Sequence, residues 1–258
     1  MSTDDTQPKG IRLAKFIAKA GLESRRGAER LIKAGKVKVN KKVETNPATH
    51  VVPGKDNVFV GRRRAVVGET SGRNAEVFVG YKPTKMVTTM NDPEGRPTIK
   101  DLLPDRSVRL FPVGRLDYDA EGALLFTSDG QLANRLMHPR YHVPKVYLVK
   151  IKGKPVDGKL EKLRRGVRLD DGRTKPCRID RVRETQSNTW VEVELTEGRY
   201  RQLKRMFMRI RHPVLRIVRL TIGGVGIEGM EPGDLRLLTK AERRVLMAWS
   251  EGAEDFDG

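Results

Sequence analysis

Gly114-Arg115-Leu116-Asp117-Tyr118-Asp119-Ala120-Glu121-Gly122 runs directly into Ala123-Leu124-Leu125-Phe126. A short polar loop that carries carboxylates is followed at once by a run apolar enough to be a buried strand. Such an arrangement holds Asp117 on a rigid element facing outward, as a reacting group has to be held. Far downstream, Glu197-Gly198-Arg199-Tyr200-Arg201-Gln202-Leu203-Lys204-Arg205-Met206 reads as a basic helix able to supply a cation. A carboxylate and a Lys or Arg brought together in a basic chain point to chemistry on an anionic polymer.

The composition agrees. The 258 residues carry 52 Lys+Arg against 33 Asp+Glu, a net charge of +19, which favours a polyanionic partner, nucleic acid first. At 37% hydrophobic residues there is enough for one large domain or two unequal ones. The single cysteine, Cys177, allows no intramolecular disulfide, so a reducing cytoplasm is expected. Four His and one Cys offer no ligand spacing, and no metal is expected. No apolar run approaches the ~20 residues of a membrane span. The polar start Met1-Ser2-Thr3-Asp4-Asp5 does not read as a signal peptide, and residues 1–9 are expected to be disordered.

Two units follow from the pattern. Arg12 to Ala20 predicts a helix with Leu13, Phe16, Ile17 and Ala20 inward. Ser24 caps a second helix that carries Ala28, Leu31 and Ile32 and stops at Gly35. Val37, Val39 and Val43 flank a hairpin turn at Asn40-Lys41. Residues 10–60 hold twelve Lys/Arg and four Asp/Glu. Residues 62–75 read as a linker, 76–250 as a strand-rich second unit and 251–258 as an acidic tail. The predicted strands of the second unit include Val77–Val79, Arg109–Phe111, Leu124–Phe126, Tyr147–Ile151 and Trp190–Leu195, the last alternating cleanly. Helices are predicted at Gln131–Met137, with Asp129 as cap, and at Arg201–Ile210.

The first unit, residues 10–61, resembles an S4 RNA-binding domain. The matching text is Arg12–Gly21, Ser24-Arg25-Arg26, Glu29-Arg30-Leu31-Ile32, Gly35–Asn40 and Pro53-Gly54-Lys55-Asp56. Arg25 and Arg26 then sit in an exposed first helical turn that favours phosphate. The second unit resembles a pseudouridine synthase of the Rsu type, the family that modifies ribosomal RNA. The resemblance runs from about Val77 to Leu238 and rests on Gly114–Asp117 and Arg201–Met206. Lys82-Pro83, Lys145–Val149, Ile222-Gly223 and Gly233–Arg236 support it. Within the family, Asn91–Thr98 and Leu132–Pro139 resemble the branch acting on large-subunit (23S) RNA. Two departures stand out: Ala120 occupies a usual Thr, and Lys85 a usual Gly.

The resemblance implies an α+β protein, an S4-like αα-β domain joined to a catalytic domain with a mixed, mostly antiparallel sheet. It implies isomerisation of a uridine in ribosomal RNA, by a monomer and with no cofactor, on bare RNA or a pre-ribosomal particle. Pseudouridine formation breaks N1–C1′, turns the base and joins C5 to C1′. The base must first leave its stack, at a cost of roughly a few kcal/mol. The family pattern assigns the catalytic carboxylate to Asp117, its cation to Lys204 with Arg205 as second choice, and the aromatic under the base to Tyr147. It assigns the gap left by the base to Arg115, and further RNA contacts to Lys82, Arg25, Arg26 and Arg205.

Taken singly these residues are unremarked: an Asp in a turn is usually a turn former, and Asp119 and Glu121 compete for the role. Glu197 suits an ion pair with Arg199 or Arg201, Cys177 a packed position, and His138 and His142 structural or phosphate contacts. A non-catalytic RNA-binding ribosome-assembly factor is the alternative, and predicts that Asp117→Asn leaves function intact. A DNA-binding protein is a third class, separable by RNA against duplex DNA affinity at fixed salt.

Overall fold

A computed structural model describes residues 10–67, 76–104 and 109–251. The expected disordered start and acidic tail lie outside these residues, apart from Glu251. The chain forms two units, the first lying mostly before Glu76. In the first, β1 (Ile11–Arg12) leads into α1 (Leu13–Lys19) and α2 (Arg25–Lys33), followed by β2 (Val37–Val39), β3 (Lys42–Val43), β4 (His50–Val51), β5 (Val58–Val60) and β6 (Arg63–Ala65). Ser24 Oγ accepts from Gly27 N–H at 2.9 Å, the predicted cap. Asn40 and Lys41 are both left-handed, which matches a two-residue turn to the strand twist. Leu13, Ile17, Ala28, Ile32, Val37, Val51 and Val58 form the core. Burying each Leu, Ile or Val there is worth about 1.5–3 kcal/mol. One expectation is corrected: residues 63–65, read as linker, pair with β5 as an edge strand. An Arg-rich edge exposes its charges and still closes the sheet, so composition alone hid it.

The second unit contains β7 (Val77–Lys82), β8 (Phe111–Val113), β9 (Glu121–Thr127), α3 (Gly130–Met137), β10 (Lys145–Lys152), α4 (Asp157–Arg164), β11 (Arg168–Leu169), β12 (Gly172–Arg173), β13 (Arg178–Glu184), β14 (Asn188–Leu195), α5 (Gln202–Arg209), β15 (Val214–Ile222), β16 (Val225–Gly226), β17 (Leu235–Leu237) and α6 (Lys240–Glu251). Nine strands make one sheet in the order β13-β14-β10-β15-β9-β7-β17, with β16 on β15 and β8 on β9. Only β15 against β9 is parallel among its pairings. The fold class is therefore α+β with a mostly antiparallel sheet. The strand expected at Arg109–Phe111 begins at Phe111, because Pro112 and Val113 pair with Phe126 and Leu125.

One sheet face carries two apolar clusters. Tyr147, Val149, Ile151 and Ile217 pack with α4 and α5 through Leu160, Leu163, Leu203, Met206 and Phe207. Phe78, Leu124 and Phe126 pack with Met86 and Ile99. The opposite face meets α3 and α6 through Leu132, Leu136 and Leu246. Between the two clusters runs a lateral row, Lys82–Gly122–Arg219–Tyr147, read across β7, β9, β15 and β10.

Gly122 makes that row possible. Its φ is +110°, and a Cβ there would lie 2.2 Å from the Arg219 carbonyl oxygen. Gly122→Ala is expected to destabilise by well over about 1 kcal/mol, since alanine meets both the wrong backbone and a clash. Each kcal/mol should lower Tm by about 2–4 °C, read by thermal unfolding; an unchanged Tm would contradict the close approach.

α6 is anchored by an acid-labile cap. Arg236 donates to both oxygens of Glu242 at 2.9 and 2.6 Å, and Thr239 N–H and Oγ1 also donate to it, at 2.8 and 2.9 Å. Chiefly through Arg236, these bonds pull the Glu242 pKa from 4.5 to about 2. A carboxyl depressed on folding stabilises fully above its unfolded value and loses that contribution as pH falls through the folded one. Wild type should therefore lose about 1–2 kcal/mol more than Glu242→Gln between pH 4.5 and 2, after discounting for solvent screening. Parallel unfolding curves for the two proteins across that window would refute it.

Candidate active site

The loop from Gly114 to Ala120 is held from several sides. Thr88 Oγ1 donates to the Leu116 carbonyl at 2.7 Å and accepts from its N–H at 3.2 Å. Lys85 N–H donates to Tyr118 O at 2.7 Å, and Ala120 N–H closes the turn onto Asp117 O at 3.1 Å. Ala120 therefore needs no hydroxyl to brace the loop: its backbone and its burial in the Tyr147 cluster do so. Lys85 adopts φ +61°, the conformation a glycine would take, and contributes its N–H to the loop.

Beneath the loop lies a buried cationic row. Lys82 is fully buried, and its ammonium donates to Pro83 O and Ala120 O, each at 2.8 Å. Burial first, then Arg219, pushes the Lys82 pKa down to about 8, against the opposing pull of Asp119, Asp117 and Glu121. Arg219 is 3% exposed; its Nε donates to Ala123 O at 2.7 Å and its Nη1 to Arg115 O at 3.4 Å. Its Nη2 is buried with no hydrogen-bond partner. Lys145 is likewise pushed to about 8, by burial and then by Arg219. The expectation that Lys82 contacts RNA is thus corrected. No RNA atom reaches a fully buried ammonium, and Lys82 instead ties the end of the loop to β7.

Two of the sequence-predicted residues meet, and a third lies in the cluster formed by their neighbours. Lys204 Nζ lies 3.9 Å from Asp117 Oδ2. Leu116, Ala120, Tyr147 and Leu203 share one apolar cluster, which puts the Asp117 loop, the tyrosine strand and the start of α5 together. Tyr147 is 8% exposed. Lys204 has a tighter partner, however: it donates to both oxygens of Asp119 at 2.5 Å. Burial would raise the Asp119 pKa, but the Lys204 hydrogen bond and charge, with help from Arg201, hold it below normal. One cation is shared by two carboxylates, and Asp119 is a site residue that sequence reasoning treated only as a rival to Asp117.

Arg205 does not join them. Its Nη2 donates to Asp171 at 2.8 Å, which makes it an anchor of the β11–β12 hairpin and not a second partner for Asp117. Arg115 is exposed on the loop. In the S4-like unit Arg25 and Arg26 are exposed in the first turn of α2, free to meet phosphate. Glu197 is buried and holds Arg199 at 3.1 Å, as expected. The Cys177 thiol packs against the α4 cluster with its pKa raised to about 11 by burial, no state for a nucleophile. His138 accepts from Arg140 N–H at 3.3 Å, a structural bond. Among the described residues no His, Cys, Asp or Glu cluster could hold a metal, and no helix is long and apolar enough to cross a membrane.

Comparison with known proteins supplies the family. Residues 76–209 match the RNA pseudouridylate synthase family and residues 11–57 the S4 domain. The ribosomal large subunit pseudouridine synthase B of Bacillus subtilis is 40% identical, over 93% of this chain and 97% of its own. Its namesake in Escherichia coli O157:H7 is 39% identical over 91% and 82%. A crystal structure of a pseudouridylate synthase superposes with a TM-score of 0.64 at 29% identity, covering 92% of this chain and 99% of that one. With an S4 domain ahead of a synthase unit that fills half of the sequence, and a relative 40% identical over most of it, the chain belongs to the RNA pseudouridylate synthase family.

Proposed function

We propose that this enzyme converts a uridine of large-subunit ribosomal RNA to pseudouridine, with Asp117 as the reacting carboxylate. The single observation that carries the reading is Lys204 placed between Asp117 and Asp119 beside the Tyr147 cluster. The relatives named for the large ribosomal subunit supply the substrate class.

The chemistry balances within one nucleotide. N1–C1′ breaks, C5–C1′ forms, C5 gives up its proton and N1 gains one. Attack by the carboxylate on C1′ and removal of a sugar proton by it both begin from the ionised form. Lys204 holds its cation 3.9 Å from that carboxylate. By the family pattern Tyr147 supports the flipped base, and its hydroxyl helps remove the C5 proton. Arg115, exposed at the loop's start, fills the space the base leaves. Lys82 and Arg219 act on the loop and not on the RNA. The S4 domain raises the local concentration of the catalytic domain on its RNA.

Carbodiimide mapping by reverse-transcription stops tests the reading. Unmodified large- and small-subunit RNA, and isolated ribosomal precursors, are each incubated with the protein. A new stop on the large-subunit RNA, bare or in precursors, is expected. A stop confined to the small-subunit RNA would overturn the substrate, and none on any of them would overturn the activity.

A further inference from the structure

Two exposed aromatic side chains lie close to the reacting residues in sequence and have no role in the reaction as derived. Of the five tyrosines, Tyr118 and Tyr200 are the exposed ones, at 46% and 73%. Tyr118 follows Asp117 directly. Tyr200 sits on the turn that leads into α5 and Lys204.

Both rings project from backbone that is rigidly held. Tyr118 lies on the pinned loop, with its own carbonyl taken by Lys85 N–H. Tyr200 stands on a turn organised by the buried Glu197, which accepts from Lys175 N–H at 3.0 Å, Arg199 Nε at 3.1 Å and Gln202 Nε2 at 2.7 Å. Arg199 N–H donates to Gln202 Oε1 at 3.0 Å, and its guanidinium donates to the carbonyls of Asp171 and Arg173 at 3.1 and 2.5 Å. The next residue, Arg201, is held left-handed at φ 45°, a conformation that costs a non-glycine residue about 1–2 kcal/mol. A solvated tyrosine needs none of this. A preorganised ring does, because a contact surface fixed in advance loses little entropy on binding.

A cation accompanies Tyr200. Arg201, exposed, adjoins Tyr200. A flat, exposed aromatic with a guanidinium at hand is what an unpaired nucleotide recognises, by base stacking and by phosphate neutralisation.

We propose that Tyr118 and Tyr200 are stacking platforms for the unpaired nucleobases that neighbour the target uridine. This rests on the RNA-modifying reading above and adds to it a single-stranded substrate subsite.

The test uses large-subunit RNA transcribed with uridine tritiated at C5, because C5–C1′ formation releases that hydrogen to solvent. Each Tyr→Ala change is expected to raise KM by about 5-fold to 150-fold, the 1–3 kcal/mol of one lost stack, with kcat within about twofold. Tyr118→Phe and Tyr200→Phe, which keep the ring, should restore wild-type KM within about twofold. Unchanged KM in both alanine variants would overturn the platforms while leaving the enzyme reading intact. No tritium release by wild type would count against the enzyme reading instead. The platforms are then judged by fluorescence, with a uridine-centred single-stranded oligoribonucleotide carrying 2-aminopurine on each side. Quenching by wild type and the Phe variants but not the Ala variants supports them; equal quenching by all, or none by wild type, overturns them.

Discussion

Asp117→Asn is expected to bind large-subunit ribosomal RNA within about threefold of wild type and to lose about 10⁴-fold or more of its turnover. Asparagine keeps the size and most of the polarity of the side chain, and the loop's carbonyls accept hydrogen bonds from Thr88 Oγ1, Lys85 N–H and Lys82 Nζ. The site should therefore survive the change in shape while losing its nucleophile or base. On the proposed reading, binding belongs to other groups, all exposed: Arg25 and Arg26 in the S4 domain, Arg115 and the two rings of the catalytic unit. The measurement is single-turnover tritium release from C5-labelled RNA, paired with filter binding at one fixed salt concentration, since electrostatic affinity depends steeply on salt. A variant that retained turnover would remove Asp117 from the reaction and pass the role to its rivals Asp119 or Glu121. One that lost binding and turnover together would show a damaged site and say nothing for the carboxylate.

The parts of this site that could be read from the sequence are those whose signal is local. A polar loop running into Ala123–Phe126 marks itself, and so do Ser24 before a helix and Asn40-Lys41 between valines. The part that could not be read is the support beneath the loop. β15 is the strand that joins the two halves of the sheet, yet Val214-Leu215-Arg216-Ile217-Val218-Arg219-Leu220-Thr221-Ile222 does not alternate, because bulges shift its register against β10. Arg219 on that strand resembles a solvent-facing arginine until the fold brings Ala123 O and Arg115 O to it, 96 and 104 positions away. Lys82 was open to the same misreading. A buried lysine is stable only where carbonyls gather around it, and one of its two belongs to Ala120, 38 positions on. Burial of charge is a property of tertiary partners, so sequence pattern pointed Lys82 toward RNA when the fold turns it inward.

The sharing of Lys204 leads to the second large expectation, in which two substitutions around it weaken the reaction to different extents. Lys204→Met removes the cation between Asp117 and Asp119. Arg205 cannot replace it, being committed to Asp171. Asp119, whose pKa the Lys204 hydrogen bond and charge hold below normal against burial, should then titrate at higher pH. With no cation facing the reacting carboxylate, kcat should fall by about 10²–10⁴-fold. Asp119→Asn keeps the cation and removes its tighter partner, so Lys204 is held less firmly and kcat should fall by about 10-fold, less than in the lysine variant. KM should stay within about threefold in both, because neither side chain is needed to hold the RNA. That order of losses would establish that Asp119 positions Lys204 beside the reacting carboxylate. An Asp119→Asn enzyme indistinguishable from wild type would reduce Asp119 to an exposed ion pair of little consequence.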